Sequence, residues 1–134
     1  MTTTNPPTAK TTQIIFWIAT IWLSLGMLST GIVQVVRTTE EVDMMTRLGY
    51  PLYFLTIIGV WKILGVAAVL MPKFPLLKEW AYAGFFIAMS GAIISHVAVA
   101  DAAKESFGPA LLLILAMVSW YFRPADRKLI LVNH

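Results

Sequence analysis

The sequence predicts an all-α integral membrane protein, a four-helix bundle. Three observations carry this reading. Apolar residues make up 58% of the 134-residue chain and charged residues only 13%, about half the charged share of an ordinary soluble domain. The apolar residues fall in four blocks, each near the roughly 20 residues that a helix needs to cross the hydrocarbon layer. The segments between blocks carry nearly all the charge and proline, and they are too short to build a separate soluble domain.

Residues 1–12 are rich in Thr, Pro and Asn and are expected to form a flexible tail. The transmembrane domain follows over residues 13–123. Its first span, 13–36, exceeds the 7–15-residue core of a signal peptide and is read as a retained helix. In the next loop, Thr38-Thr39-Glu40-Glu41 has the capping-box pattern, with Thr38 as N-cap and Glu41 reaching back to it. Val42, Met45 and Leu48 recur at helical spacing until Gly49-Tyr50-Pro51 ends the run. A short amphipathic helix over the outer mouth of the bundle is expected there, with a plain interfacial turn as the alternative. The second span is 52–71, stopped by Pro72; the third is 80–99; the fourth is 107–122, stopped by Arg123-Pro124. Residues 124–134 make a C-terminal tail.

Charge sets the expected orientation. Lys10, Lys73, Lys78, Arg123, Arg127 and Lys128 lie on one side of the spans, whereas Arg37, Arg47 and Lys104 share the other side with five acidic residues. The side richer in Lys and Arg is expected to be cytoplasmic, which puts both termini inside a bacterial cytoplasmic membrane. Trp17, Trp80, Tyr82, Trp120 and Tyr121 then fall near the inner interface, and Tyr50 and Tyr53 near the outer one.

Composition also excludes chemistry. The chain has no cysteine, so disulfides, thiolate nucleophiles and Cys-held clusters are ruled out. His96 and His134 are too few and too far apart for a bis-His haem or a zinc site. A redox role would rest on a diffusible cofactor such as a quinone, or on a partner oxidoreductase. The formal charge of +3 is spread over the loops and is no nucleic-acid signal.

The leading functional candidate is Lys62, in the middle of the second span. A cation at the centre of a membrane helix costs about 2.5–3.5 kcal/mol on insertion scales. At 1.5 Å per residue its Cα lies about 15 Å below the outer boundary, and the side chain leans back toward the helix N-terminus. His96, on the antiparallel third span, leans inward toward a similar depth, so the two converge on one cavity. Gln34 and Tyr53 are placed to line its rim, and Trp22 to supply a cation–π face. Gly59 and Gly65 flank Lys62 on the same face, where they admit a second backbone or leave room for a ligand. Gly84, Ala88 and Ala92, with Gly91 and Ser95, form small-residue rows that point to tight helix packing. No carboxylate lies within the spans to neutralise Lys62. Its ammonium suits a carbonyl or anionic head, such as a quinone or a fatty acid; the competing reading is a lysine that snorkels and merely anchors its helix. For His96 the competing reading is an interhelical hydrogen bond.

The runs Leu48-Gly49-Tyr50-Pro51-Leu52-Tyr53 and Lys62-Ile63-Leu64-Gly65, and the turn from Pro72 to Pro75, resemble the DoxX-like family of small bacterial membrane proteins. So do Lys78-Glu79-Trp80-Ala81-Tyr82-Ala83-Gly84, Gly91-Ala92 and Ser95-His96. The resemblance implies a four-helix membrane bundle. It also implies a range of roles, since relatives form the membrane part of a thiosulfate:quinone oxidoreductase, and others are linked to redox stress or act as accessory, chaperone-like proteins. It transfers no catalytic residue. Two functions stay in view: a quinone- or lipid-binding accessory subunit of a membrane redox system, and a structural or assembly protein without ligand chemistry, with a homo-oligomer compatible with either. A small transporter is less favoured, because nothing resembles paired broken helices.

Overall fold

The computed structural model describes residues 7–124, with side chains from Lys10 onward. Five helices follow one another: α1 (Pro7–Val36), α2 (Thr39–Leu48), α3 (Leu52–Leu70), α4 (Pro75–Ala98) and α5 (Ala103–Tyr121). Four of them, α1, α3, α4 and α5, are long and apolar enough to cross a membrane. In a bilayer every backbone polar group must be satisfied within the protein, and a helix does so along its whole length. The spans close into a ring in which α1 and α4 each pack against both α3 and α5. The core between them is built from Leu23, Met27, Val66, Val69, Phe85 and Met89. Toward the end where α1 begins, Thr20, Tyr82 and Ser119 join three helices through one hydroxyl cluster, with Ser119 Oγ 2.6 Å from Thr20 Oγ1 and 2.7 Å from Tyr82 Oη. Tyr82 is therefore a buried tie in the core, facing inward from α4.

Several boundaries differ from the sequence reading, each for a local reason. Helix α1 starts at Pro7, so residues 7–12 are helical where a flexible tail was expected; proline is tolerated in a first turn, where its missing N–H has no partner to lose. At 30 residues α1 is about 45 Å long and overshoots a hydrocarbon layer of about 30 Å. Residues 1–6 and the tail from 125 onward, with Arg127, Lys128 and His134, lie outside the described residues. Helix α4 begins at Pro75 instead of residue 80, again with proline in its first turn. Helix α5 begins at Ala103 instead of residue 107, with Glu105 in the first turn complementing the helix dipole. Thr38 is the N-cap of α2 but makes no side-chain capping bond. The reciprocal capping box does not form, because Glu41 is directed elsewhere.

The α3–α4 turn holds a second departure. Lys73 and Phe74 both take left-handed backbone angles, φ 69° and 56°, which cost non-glycine residues roughly 1–2 kcal/mol each. Lys78 was expected at the membrane surface, yet it is buried and donates to the carbonyl oxygens of Ala68 (2.7 Å) and Met71. The last carbonyls of a helix lack intrahelical donors, and a cation there also meets the negative end of the helix dipole. Lys78 is thus the cap of α3.

Helix separation is uneven around the ring. A Cβ added at Gly59 would lie 2.8 Å from the Gly31 carbonyl oxygen, and one at Gly31 would lie 3.0 Å from that of Gly59. Backbone meets backbone where α1 crosses α3. On α4, by contrast, a Cβ added at Gly84 or Gly91 would meet nothing within 4 Å. The small-residue rows of α4, expected to seat a neighbouring helix, border open space instead. Gly59→Ala should therefore destabilise the bundle by about 1–3 kcal/mol through overpacking. Gly84→Ala should be neutral or stabilising by up to about 1 kcal/mol through helix propensity. Unfolding in bicelles measures both, and equal losses for the two variants would contradict this packing.

Candidate functional site

The open space beside α4 is a cavity of about 710 Å³ that runs along the α3–α4 seam and is closed at one end by α2. That volume falls within the range typical of small-molecule sites. Away from α2 its walls are apolar, from Met27, Ala68, Phe85 and Leu112 among others, whereas Lys62, Gln34, Glu41, Tyr50, His96 and Glu105 line the part nearer α2. Trp61 and Leu64 of α3 and Trp80 and Ile87 of α4 line the cavity and are also exposed on the outside of the bundle. The cavity therefore opens sideways, between two membrane-spanning helices.

Lys62 sits at mid-helix and is only 6% exposed. Its Nζ donates to Thr30 Oγ1 of α1 at 3.3 Å. The Thr30 hydroxyl in turn donates to the carbonyl oxygen of Gly26 at 3.0 Å. An ammonium has three donors, and Thr30 is the one hydrogen-bond partner of this amine among the described residues. The Glu41 carboxylate of α2 is near enough to attract it electrostatically but does not form a contact ion pair. The expectation that no acid serves Lys62 fails at the loop helix, which lowers the Glu41 carboxylate into the cavity, and Glu105 in the first turn of α5 lines the same cavity.

His96 is 3% exposed, and its Nδ1 lies 2.6 Å from Asp101 Oδ2. Helix α4 ends in a left-handed turn at Ala100 (φ 56°), and the Asp101 N–H returns to the His96 carbonyl oxygen at 2.9 Å. That reversal folds the carboxylate back over the imidazole. Arg47 of α2 grips the same carboxylate with two bonds, Nε to Oδ1 at 2.9 Å and Nη2 to Oδ2 at 3.1 Å. Beside it, Tyr50 Oη lies 2.6 Å from Ser95 Oγ, which donates to the Gly91 carbonyl oxygen at 2.8 Å. Helix α2 and the turn after it are therefore clasped to α4 across the top of the cavity.

The remaining sequence candidates divide cleanly. Gln34 is 5% exposed and lines the cavity. Gly65 lines it too, with the Phe85 ring lying against its bare backbone. Gly59 is the close-approach point of α1 and α3 and lies outside the cavity lining. Trp22 (62% exposed) and Tyr53 (64% exposed) point away from the bundle, so neither stacks on Lys62 nor forms the rim. Their positions fit the required depth, but depth along a helix does not specify azimuth. Sequence reasoning missed Thr30, Glu41, Tyr50 and Asp101. Glu41 carried a misleading signal in its capping-box spacing, and Asp101 carried none, since a left-handed turn at an alanine is not marked in the sequence. At the other end, Glu79 pairs with Arg123 at 2.8 Å and accepts from Trp120 Nε1 at 2.8 Å. Among the described residues no group of His, Asp and Glu is placed to hold a metal ion.

The hydrogen bond from His96, followed by that from Arg47, holds the Asp101 carboxyl below its ordinary value. A carboxylate of depressed pKa stabilises the fold above about pH 4, its unfolded value, and that contribution is lost as pH falls through the lowered folded value. Acidification through this window should therefore release α2, seen as a drop in its hydrogen-exchange protection factors. Asp101→Asn should lower α2 protection already at neutral pH and remove the acid step. Unchanged protection in that variant would show that the clasp does not hold α2.

Comparison with known proteins gives one family and no individual relative. Neither curated proteins nor solved structures yield a match to the chain. The family model that matches is that of the DoxX-like family, over residues 18–119. This stretch takes in all four spans apart from the start of α1 and the last turn of α5, together with α2 and the whole cavity. The chain, a multi-pass helical membrane protein, belongs to the DoxX-like family.

Proposed function

We propose that this protein is a membrane subunit that takes a lipophilic amphiphile, a quinone or a lipid, from the bilayer and holds its polar head at Lys62 in support of a partner oxidoreductase. The observation that carries this reading is the shape and polarity of the cavity. Its apolar length opens between α3 and α4, and its closed end presents a buried ammonium with donors to spare. A molecule dissolved in lipid reaches such a site without crossing water, its tail along the α3–α4 seam and its head beneath α2. The distribution of Lys and Arg favours both termini on the cytoplasmic side of a bacterial cytoplasmic membrane. In that orientation α2 lies at the outer face as an amphipathic cover.

The second reading, a structural or assembly protein, draws on the Lys62–Thr30 bond, which ties α3 to α1. The two readings part on one variant. Removing a buried charge in favour of an apolar side chain of similar volume is neutral or stabilising where the charge holds nothing together. A ligand held by a charge-assisted hydrogen bond loses about 1.5–3 kcal/mol when the donor goes, roughly 10- to 150-fold in affinity. Protein extracted with its native lipid and analysed by mass spectrometry should carry a bound amphiphile. Lys62→Met should lose it, and once both proteins are stripped of lipid their melting temperatures should agree. Undiminished ligand in that variant, or a lower melting temperature with no ligand in either protein, would favour the structural role.

A further inference from the structure

The polar end of the cavity has too many acceptors as well as spare donors. Gln34 Oε1 and Glu41 Oε2 are buried without a hydrogen-bond partner among the described residues. Both side chains line the cavity with Lys62. Gln34 approaches from α1 with its Cβ close to the bare backbone of Gly59, one helical turn from Lys62 on the same face of α3. Glu41 enters the cavity from α2. Buried polar atoms are almost always paired, and an unpaired acceptor keeps the whole cost of its desolvation.

A group that meets both needs must accept and donate at one place. A carbonyl or ether oxygen accepts from the Lys62 ammonium but leaves Gln34 and Glu41 unpartnered. A carboxylate fares worse, because the charge that draws it to Lys62 also repels it from Glu41. A hydroxyl accepts through its oxygen and passes its proton toward the amide or the carboxylate. We propose that the cavity selects a neutral amphiphile whose head carries free hydroxyl groups, as in a hydroquinone or a diacylglycerol, over the same skeleton bearing only acceptor oxygens. This rests on the reading that the cavity holds a bilayer amphiphile, and it adds the chemistry of the head.

The test uses the full-length protein in nanodiscs and a ladder of probes: decyl-hydroquinone, the matching quinone, its dimethyl ether, a diacylglycerol and the O-methyl ether of that diacylglycerol. At least one hydroxyl-bearing probe should bind about tenfold or more tightly than its blocked or oxidised counterpart, because a site built to pair a hydroxyl rejects the analogue that lacks it. The arm in which this preference appears identifies the source, aromatic diol or lipid. Gln34→Met and Glu41→Met should erode the preference and leave ether affinity within about twofold; the ladder itself requires no variant to fold. Binding of all probes of an arm within about twofold of one another would overturn the hydroxyl preference and leave the cavity reading standing. Binding of none of them would overturn both.

Discussion

A membrane interior gives a cation nowhere to go. Lys62 sits too near the middle of α3 to snorkel freely, and the bundle keeps it inside, against the hydroxyl of Thr30 and in the field of Glu41. Each of these groups comes from a different helix. The ammonium therefore fixes what α1 and α2 must present to α3, and it requires that the space around it be shaped by the protein instead of by lipid. A charge of this kind is costly to insert, and a cavity of about 710 Å³ lies beside it.

The same constraint accounts for the uneven packing of the ring. Gly31 and Gly59 let α1 and α3 touch along their backbones, which brings Thr30 and Gln34 to Lys62 from one side. Glycine and alanine on α4 do the reverse, and their missing side chains leave volume along the seam with α3. Small residues in a membrane helix thus serve two ends in one molecule. What distinguishes them is whether another backbone or empty space lies opposite. The end beneath α2 is then sealed by polar contacts, the Arg47–Asp101–His96 chain and the Tyr50–Ser95 pair. The opposite end is held by Lys78 on the α3 carbonyls and by Glu79 with Arg123.

The architecture was legible in the sequence because hydropathy and helix length act locally: four apolar blocks long enough to cross a membrane follow from counting residues. Azimuth was not legible. Trp22 and Tyr53 stand at suitable depths yet face outward, because nearly all-apolar spans offer no polar face to mark the inside. The partners of the polar residues were hidden for a different reason. Asp101 reaches His96 only because the backbone turns left-handed at Ala100, and Glu41 reaches the cavity only because α2 lies where it does. Lys78 was counted as a surface charge because its real partners, helix-end carbonyls, have no side-chain signature.

The central claim is that an amphiphile occupies the α3–α4 cavity with its head at Lys62. Photolabelling of the full chain in a bilayer, with an alkyl probe carrying a diazirine at its polar head, addresses this directly. The account predicts adducts on the peptides that contain Thr30, Glu41 and Lys62, suppressed by excess unlabelled amphiphile. Adducts confined to outward residues such as Trp22 and Tyr53, and indifferent to competition, would contradict it.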